Sequence, residues 1–297
     1  MHPPIDINMK VPDRLVNCVA FIARDSSVPR FLGSAFIVAL KGSLGNAYLH
    51  LVTAKHVADA LHLGAYVLGM NGKSGKKIFV KCTPEHAKWW YHPTDPESVD
   101  VAVTLFGSED IDQFDFEWIP EEMFATEKRI EEYSIGLGDE VVVSGLFTRF
   151  SGRTKNFPIV RSGNIAMMPT EPIPTKTGTM EAYLVEGRSI GGLSGSAVFV
   201  RNSVSLAPIK NSKGGYDIFS GLGHIHFLGL MHGHWDLPVG VLTEQAEAVN
   251  MGVSIVVPAK KILEVLYHPE LVELRAKRDV ELKKENLPSA DVVMYHD

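Results

Sequence analysis

Three short stretches carry residues whose types could together activate a hydroxyl. Val52-Thr53-Ala54-Lys55-His56-Val57 offers an imidazole, Val99-Asp100-Val101-Ala102-Val103 a carboxylate among apolar neighbours, and Gly191-Gly192-Leu193-Ser194-Gly195-Ser196 a serine among glycines. A serine hydroxyl is a poor nucleophile near neutral pH unless a histidine removes its proton and a buried carboxylate holds that histidine in the right tautomer. Cleavage of an amide also passes through a tetrahedral oxyanion, which needs backbone N–H donors fixed where the charge appears. Glycine beside the serine lets the chain take the tight conformation that aims such donors inward.

The order His, Asp, Ser resembles that of the chymotrypsin-like serine proteases. Thr-Ala-Lys-His is similar to that family's Thr-Ala-Ala-His, Asp-Val-Ala-Val to its Asp-Ile-Ala-Leu, and Gly-Leu-Ser-Gly-Ser to its Gly-Asn-Ser-Gly-Gly or Gly-Asn-Ser-Gly-Ser. The resemblance implies His56 as base, Asp100 as orienting carboxylate and Ser194 as nucleophile, with the N–H groups of Gly192 and Ser194 forming the oxyanion hole. Asp100 follows His56 by 44 residues and Ser194 follows Asp100 by 94, which leaves room for His and Asp on one barrel and Ser on a second. Gly-x-Ser-Gly alone is a weak signal; its weight comes from three motifs in family order, each at a strand end.

Composition narrows the rest. With 297 residues, 45% hydrophobic and 22% charged, the chain reads as a globular protein able to bury a sizeable core. A net charge of −6 gives no basic footprint, so a nucleic-acid partner is not expected. The start Met1-His2-Pro3-Pro4-Ile5-Asp6 lacks the pattern of a secretory signal, and Phe36-Ile37-Val38-Ala39-Leu40 ends at Lys41, far short of a bilayer span. A cytoplasmic location without membrane association is the expectation. Cys18 and Cys82 then read as reduced, small apolar residues.

Short β-type runs punctuated by Gly, Pro, Asn and Asp fill most of the chain. Candidate strands in the first part are 16–23, 34–40, 47–53, 65–70, 77–82 and 101–106; in the second, 140–145, 159–167, 182–185, 197–200, 227–231 and 253–257. The fold class expected is all-β: two six-stranded antiparallel Greek-key β-barrels of chymotrypsin type with a C-terminal helix. Residues 1–135 would form the barrel with His56 and Asp100, residues 136–258 the barrel with Ser194, and residues 259–297 a helix and tail. Ile262, Leu263, Val265 and Leu266 share one helical face, and the charged continuation from Glu270 to Glu285 reads as a solvated helix. Asn202 to Gly223 reads as a long surface loop. In wording, Gly138-Asp139-Glu140-Val141-Val142-Val143-Ser144-Gly145, Val160-Arg161-Ser162-Gly163-Asn164-Ile165-Ala166 and Val253-Ser254-Ile255-Val256-Val257-Pro258 resemble the HtrA-like branch, whose usual peptide-binding domain would not fit in the residues that remain.

Departures from the family bear on control and specificity. Leu193 stands where trypsin-type enzymes carry an aspartate that pairs with a new N-terminus, so that route of activation is not expected, and an activating partner or a homo-oligomer would have to serve. By the resemblance, Arg188 and Ser189 lie near the base of the pocket for the side chain before the scissile bond. Met231, His232, Gly233 and His234 lie on the strand that pairs with substrate backbone. Glutamyl endopeptidases read an acidic side chain with a histidine on this strand, so a basic pocket of Arg188 and a histidine is one reading, and Arg188 turned to solvent the other. His224 with His226 and His232 with His234 sit at strand period, but nothing adjacent in sequence completes a zinc set, and neither a metal nor another cofactor is expected. The function expected is a serine endopeptidase acting on polypeptides through an acyl-enzyme. The alternative is a protease-like peptide- or protein-binding module, inactive alone or activated by a partner.

Overall fold

The computed structural model describes residues 11–27, 29–61, 64–83, 88–107, 110–175, 178–187, 192–202, 209–210, 216–217, 224–237, 249–284 and 292–293. Its strands run β1 (Val19–Arg24), β2 (Phe31–Lys41), β3 (Ala47–Thr53), β4 (Tyr66–Asn71), β5 (Lys77–Cys82), β6 (Ala102–Leu105), β7 (Ile119–Pro120), β8 (Glu140–Gly145) and β9 (Ile159–Met167). They continue with β10 (Ile173–Thr175), β11 (Gly178–Met180), β12 (Tyr183–Glu186), β13 (Ala197–Arg201), β14 (Ile209–Lys210), β15 (Tyr216–Asp217), β16 (Ile225–Leu237), β17 (Val249–Pro258) and β18 (Val292–Val293). The α-helices are α1 (Arg14–Asn17), α2 (Lys55–Asp59), α3 (Glu127–Glu132), α4 (Ala259–Leu266) and α5 (Pro269–Lys284).

Every stretch expected to be a strand contains one, but Val16 and Asn17, expected at the start of the first, lie in α1. The second set closes into an antiparallel barrel in the order β12-β17-β16-β13-β8-β9. The first set forms one sheet in the order β18-β3-β2-β1-β4-β5, with β6 on β3 and β7 on β2. Among the described residues that sheet has no ladder joining β5 to β6, and two short parallel pairings, β7 on β2 and β18 on β3, add to its antiparallel core. Such two- and three-residue strands leave no periodic trace in sequence. Within the stretch expected to be a long loop, β14 and β15 pair with each other.

One aromatic seam fixes the sheet against the barrel. Phe227 on β16 meets Phe36 on β2 at 5.2 Å, Phe124 at 4.7 Å and Phe199 on β13 at 5.8 Å between ring centroids, all fully buried. Tilted and edge-on rings at these separations add to the burial of large apolar area. The seam sets how β3 and β6, which lead to His56 and Asp100, sit relative to β13 and β16, which flank Ser194.

At the C-terminal end α4 buries Ala259, Ile262, Val265 and Leu266. Helix α5 departs from the solvated helix expected: Leu271 and Arg275 are buried. The Tyr48 hydroxyl donates to Asp279 Oδ1 at 2.5 Å, Arg275 Nη1 meets His50 Nε2 at 3.2 Å, and Trp90 Nε1 donates to Glu270 Oε2 at 2.9 Å. Besides Leu271, in the apolar core, these docking contacts are polar, so the face reads as surface in a sequence. Both cysteines are free, and burial pushes the Cys18 thiol up to about 12. Among the described residues no helix is long and apolar enough to cross a membrane.

Candidate active site

His56 enters on α2, a single turn that begins after Ala54 at the end of β3. Its backbone N–H donates to Asp100 Oδ1 at 2.9 Å and its ring Nδ1 bonds Asp100 Oδ2 at 2.8 Å. This double grip fixes both the position and the ring plane of the imidazole, and leaves Nε2 pointing away from the carboxylate. The His56 side chain is 42% exposed whereas that of Asp100 is 8% exposed. Burial by itself would raise the Asp100 carboxyl, but hydrogen bonds from His232 and His56 hold it down at about 2. For His56, burial acts to lower the pKa and the Asp100 hydrogen bond and charge outweigh it, so the imidazole sits above its ordinary value.

Ser194 lies in a turn between Gly192 and Gly195, whose φ angles are +99° and +80°. Gly195 has no room for a side chain: a Cβ there would stand 2.1 Å from the Ser34 carbonyl oxygen and 2.5 Å from Thr53 Oγ1. The turn is tied to both halves of the chain. Ser34 N donates to the Ser194 carbonyl at 2.9 Å and Gly195 N to the Met231 carbonyl at 2.9 Å. The buried Ser34 hydroxyl donates to the Gly192 carbonyl at 2.9 Å, accepts from Leu146 N at 2.8 Å and meets Ser196 Oγ at 3.0 Å. Among the described residues the amide N–H groups of Gly192 and Ser194 have no hydrogen-bond partner, so both are available to an incoming oxyanion.

The structure brings His56, Asp100, Ser194 and His232 into one cluster, with one link the sequence did not suggest. The Ser194 hydroxyl donates to the His232 carbonyl at 3.1 Å and makes no hydrogen bond to His56. The His232 ring in turn bonds Asp100 Oδ2 through Nδ1 at 2.5 Å and meets the His56 ring at 5.5 Å, edge to face. The register of β16 against β17 shifts between Met231 and Gly233, so His232 is the irregular residue of the ladder. A bulge re-aims a side chain that regular pairing would direct elsewhere. It turns His232 from a residue expected on the substrate-pairing strand into a second imidazole on Asp100. The nearest sequence signal was the histidine pair itself; its bulge depends on the partner strand.

Of the other expected residues, Met231 is buried in the barrel, and Gly233 and His234 continue β16 opposite Ile255 and Ser254. Arg188, Ser189 and Gly191 lie outside the described residues. His56, Asp100 and His232 offer one ligand atom each within 4.8 Å of one another, the set of the described residues with metal-binding composition. The hydrogen bonds already given account for that closeness. His226, of the other histidine pair, is buried with its ring 4.4 Å from that of Tyr133 and 6.4 Å from that of His224.

No protein-family model matches the chain, and no curated protein matches it. Among solved structures it is similar to the MamO protease domain of Magnetospirillum magneticum in its apo form, at 13% identity over 84% of this chain and 96% of that one, TM-score 0.49. It is similar also to a serine endoprotease of Yersinia pestis, at 17% identity over 89% of this chain and 68% of that one, TM-score 0.48. A third is Rv3671c of M. tuberculosis H37Rv in an inactive mutant form, at 15% identity over 89% of this chain and 94% of that one, TM-score 0.46. At such identities the question of activity rests on the chain's own geometry.

Proposed function

We propose that the protein is a serine endopeptidase of chymotrypsin type, with Ser194 as nucleophile, His56 as general base and acid, and Asp100 as the carboxylate that orients His56. The observation that supports this reading best is the two-point hold of Asp100 on His56 beside a glycine-flanked serine whose turn carries two unspent N–H donors. In the reaction the Ser194 hydroxyl leaves the His232 carbonyl, gives its proton to His56 Nε2 and attacks the substrate carbonyl carbon. Gly192 and Ser194 N–H groups receive the oxyanion. His56 then returns the proton to the leaving amine, and water, activated by the same imidazole, releases the acyl group from Ser194. Asp100, buried and strongly acidic, stays ionised throughout.

A second reading is supported by a specific observation: the Ser194 hydroxyl is engaged by the His232 carbonyl in place of His56. A scaffold resting in this state would hold polypeptides without cutting them, or would wait for a partner or a second copy to release the serine. A fluorophosphonate probe decides between the two. Labelling of Ser194 that is lost in Ser194→Ala is the expected result; an intact protein that resists the probe at every pH supports the binding module.

A further inference from the structure

A broad groove opens beside the serine turn. Its near part, of about 520 Å³, runs from Gly192 past Thr148 to Leu32, Phe31 and Arg30, the residues that lead into and begin β2. Its far part, of about 850 Å³, shares Arg30, Phe31 and Thr148 with the near part and extends to Lys77 and Phe79 on β5 and to Arg149. No residue of β16 lines either part. Both walls are tied to the serine turn. A Cβ on Gly33 would stand 3.0 Å from the Ser194 carbonyl oxygen, and one on Gly192 would stand 2.6 Å from Thr148 Cγ2. The groove is thus continuous with the place proposed for a substrate carbonyl.

The lining is cationic. Arg24, Arg30, Lys77 and Arg149 contribute to it, and no Asp or Glu does. Arg30 and Arg149 are exposed and, among the described residues, have no hydrogen bond or ion pair. Asp25, the acid nearest Arg30 in sequence, is taken up by Lys81 at 2.6 Å. The Lys77 ammonium donates to the Gly152 carbonyl at 3.1 Å and lies 5.3 Å from the centre of the Phe31 ring and 6.0 Å from that of Phe79, so an aromatic wall holds it in place. Those two rings stack at 6.2 Å, and Phe79 is 50% exposed. On a chain of net charge −6, four like charges around one hollow, beside open apolar rings, make a local positive field that attracts an anionic partner with apolar parts.

The place of the groove says what would fill it. A polypeptide whose carbonyl oxygen sits on the Gly192 and Ser194 N–H groups continues on both sides of that carbonyl. With the part before the bond along β16, the part after it leaves past Gly192, between Thr148 and the start of β2. From Gly33 back to Arg30 an extended chain covers roughly 10 Å, at about 3.3 Å per residue. We propose that this groove binds the segment of a polypeptide that follows the bond presented to Ser194, and that Arg30 and Arg149 select segments with Asp or Glu about two to four residues after that bond. A carboxylate matches the forked donors of a guanidinium in charge and geometry, whereas an isosteric amide matches only in shape. A polynucleotide carries the same sign of charge, but a groove that ends at the serine turn is continuous with a site for a peptide carbonyl. The proposal rests on the endopeptidase reading for which side of the bond the groove serves; its preference for acid is a matter of binding alone.

The test reads binding first, on the whole chain with Ser194→Ala. Two peptides with a free N-terminal amine and a fluorophore at the C-terminus, Leu-Asp-Glu-Asp and Leu-Asn-Gln-Asn, imitate the product released after the cut and are titrated by anisotropy. The acidic peptide is expected to bind about tenfold more tightly at low salt, with the advantage shrinking as salt is added. Arg30→Gln combined with Arg149→Gln, both at exposed positions, should bring the two affinities within about twofold, with circular dichroism to establish that the variant is folded. Equal affinities, no measurable binding of the acidic peptide, or a preference that survives both substitutions would overturn the proposal. So would tighter binding of a labelled oligothymidylate of the same charge that is lost in the double variant, which would assign the groove to nucleic acid. Fluorophosphonate labelling of the wild-type chain reports separately: an acidic preference without labelling sinks the endopeptidase reading and leaves the groove standing. Where the chain does label, its cut sites in a peptide library should be enriched in Asp and Glu at these positions, and cut sites without that enrichment would likewise overturn the proposal.

Discussion

Asp100 is the residue on which the cluster turns, because a single carboxylate oxygen serves two imidazoles. Removing its charge with Asp100→Asn should cost on the order of 10⁴-fold in kcat, since the amide would favour the wrong His56 tautomer; kcat within tenfold of the unsubstituted chain would contradict the role given to it. The pH dependence follows from the same contacts. His56 must be neutral to accept a proton, and its pKa is raised, so activity should rise with pH through a midpoint above about 6.5. Replacing His232 by Leu removes one donor from Asp100, leaves the carboxylate more basic toward His56, and should move that midpoint upward. A pH–rate profile identical in the His232→Leu variant would show the second imidazole to be inert. For stability the signs run oppositely. The raised His56 stabilises the fold below about 6.5, and that contribution fades as pH climbs past its folded value. The depressed Asp100 stabilises above about 4, a contribution lost as pH falls toward 2.

At the scale of the element, the serine turn is held by backbone and by one buried hydroxyl. Gly195→Ala would put a β-carbon against the Ser34 carbonyl in a left-handed conformation, and should cost about 2–4 kcal/mol of stability in a urea titration. Ser34→Ala removes the acceptor of the Leu146 N–H and the donor to the Gly192 carbonyl together. A buried donor left unsatisfied costs about 1–3 kcal/mol. Because Gly192 borders the proposed oxyanion site, the activity of this variant should fall further than its stability alone explains; a loss that merely follows the unfolded fraction would deny Ser34 a part in shaping the turn. The bulge at His232 belongs to the same scale. The sequence placed His232 on a strand correctly, but which face it presents depends on one unpaired residue in the ladder with β17.

The molecule as a whole works by holding two β assemblies in register. Phe227 touches Phe36 across that junction and Phe124 and its barrel neighbour Phe199 beside it, so Phe227→Ala should destabilise by about 3–5 kcal/mol and impair activity even at temperatures where the chain stays folded. Undiminished kcat in the folded variant would mean that the junction does not position the site. Helix α5 adds a pH-dependent clamp on β3. His50 is fully buried beside Arg275, and burial together with that charge holds its pKa at about 3. Unfolded, it would take up a proton near 6.5, so it lowers stability as pH falls below that value, by up to about 1.4 kcal/mol per pH unit. Burial lowers His226 as well, with the same sign. Between pH 6.5 and 5 a His50→Asn chain should therefore lose stability less steeply than the unsubstituted one, measured by denaturant midpoints; parallel curves would remove His50 from the account.

The sequence by itself determined the strands, because apolar alternation and turn residues are local, and it named His56, Asp100 and Ser194, because each sits in a short stretch of distinctive residue types. It gave no view of the interactions that cross the chain. That Asp100 serves two histidines, that the serine hydroxyl rests on the His232 carbonyl and that α5 docks by a largely polar face all depend on neighbours brought from 38 to 231 residues away. Tertiary structure alone decided these, since a hydrogen bond is a property of a place in space, and only the closed barrel and its aromatic junction define the places.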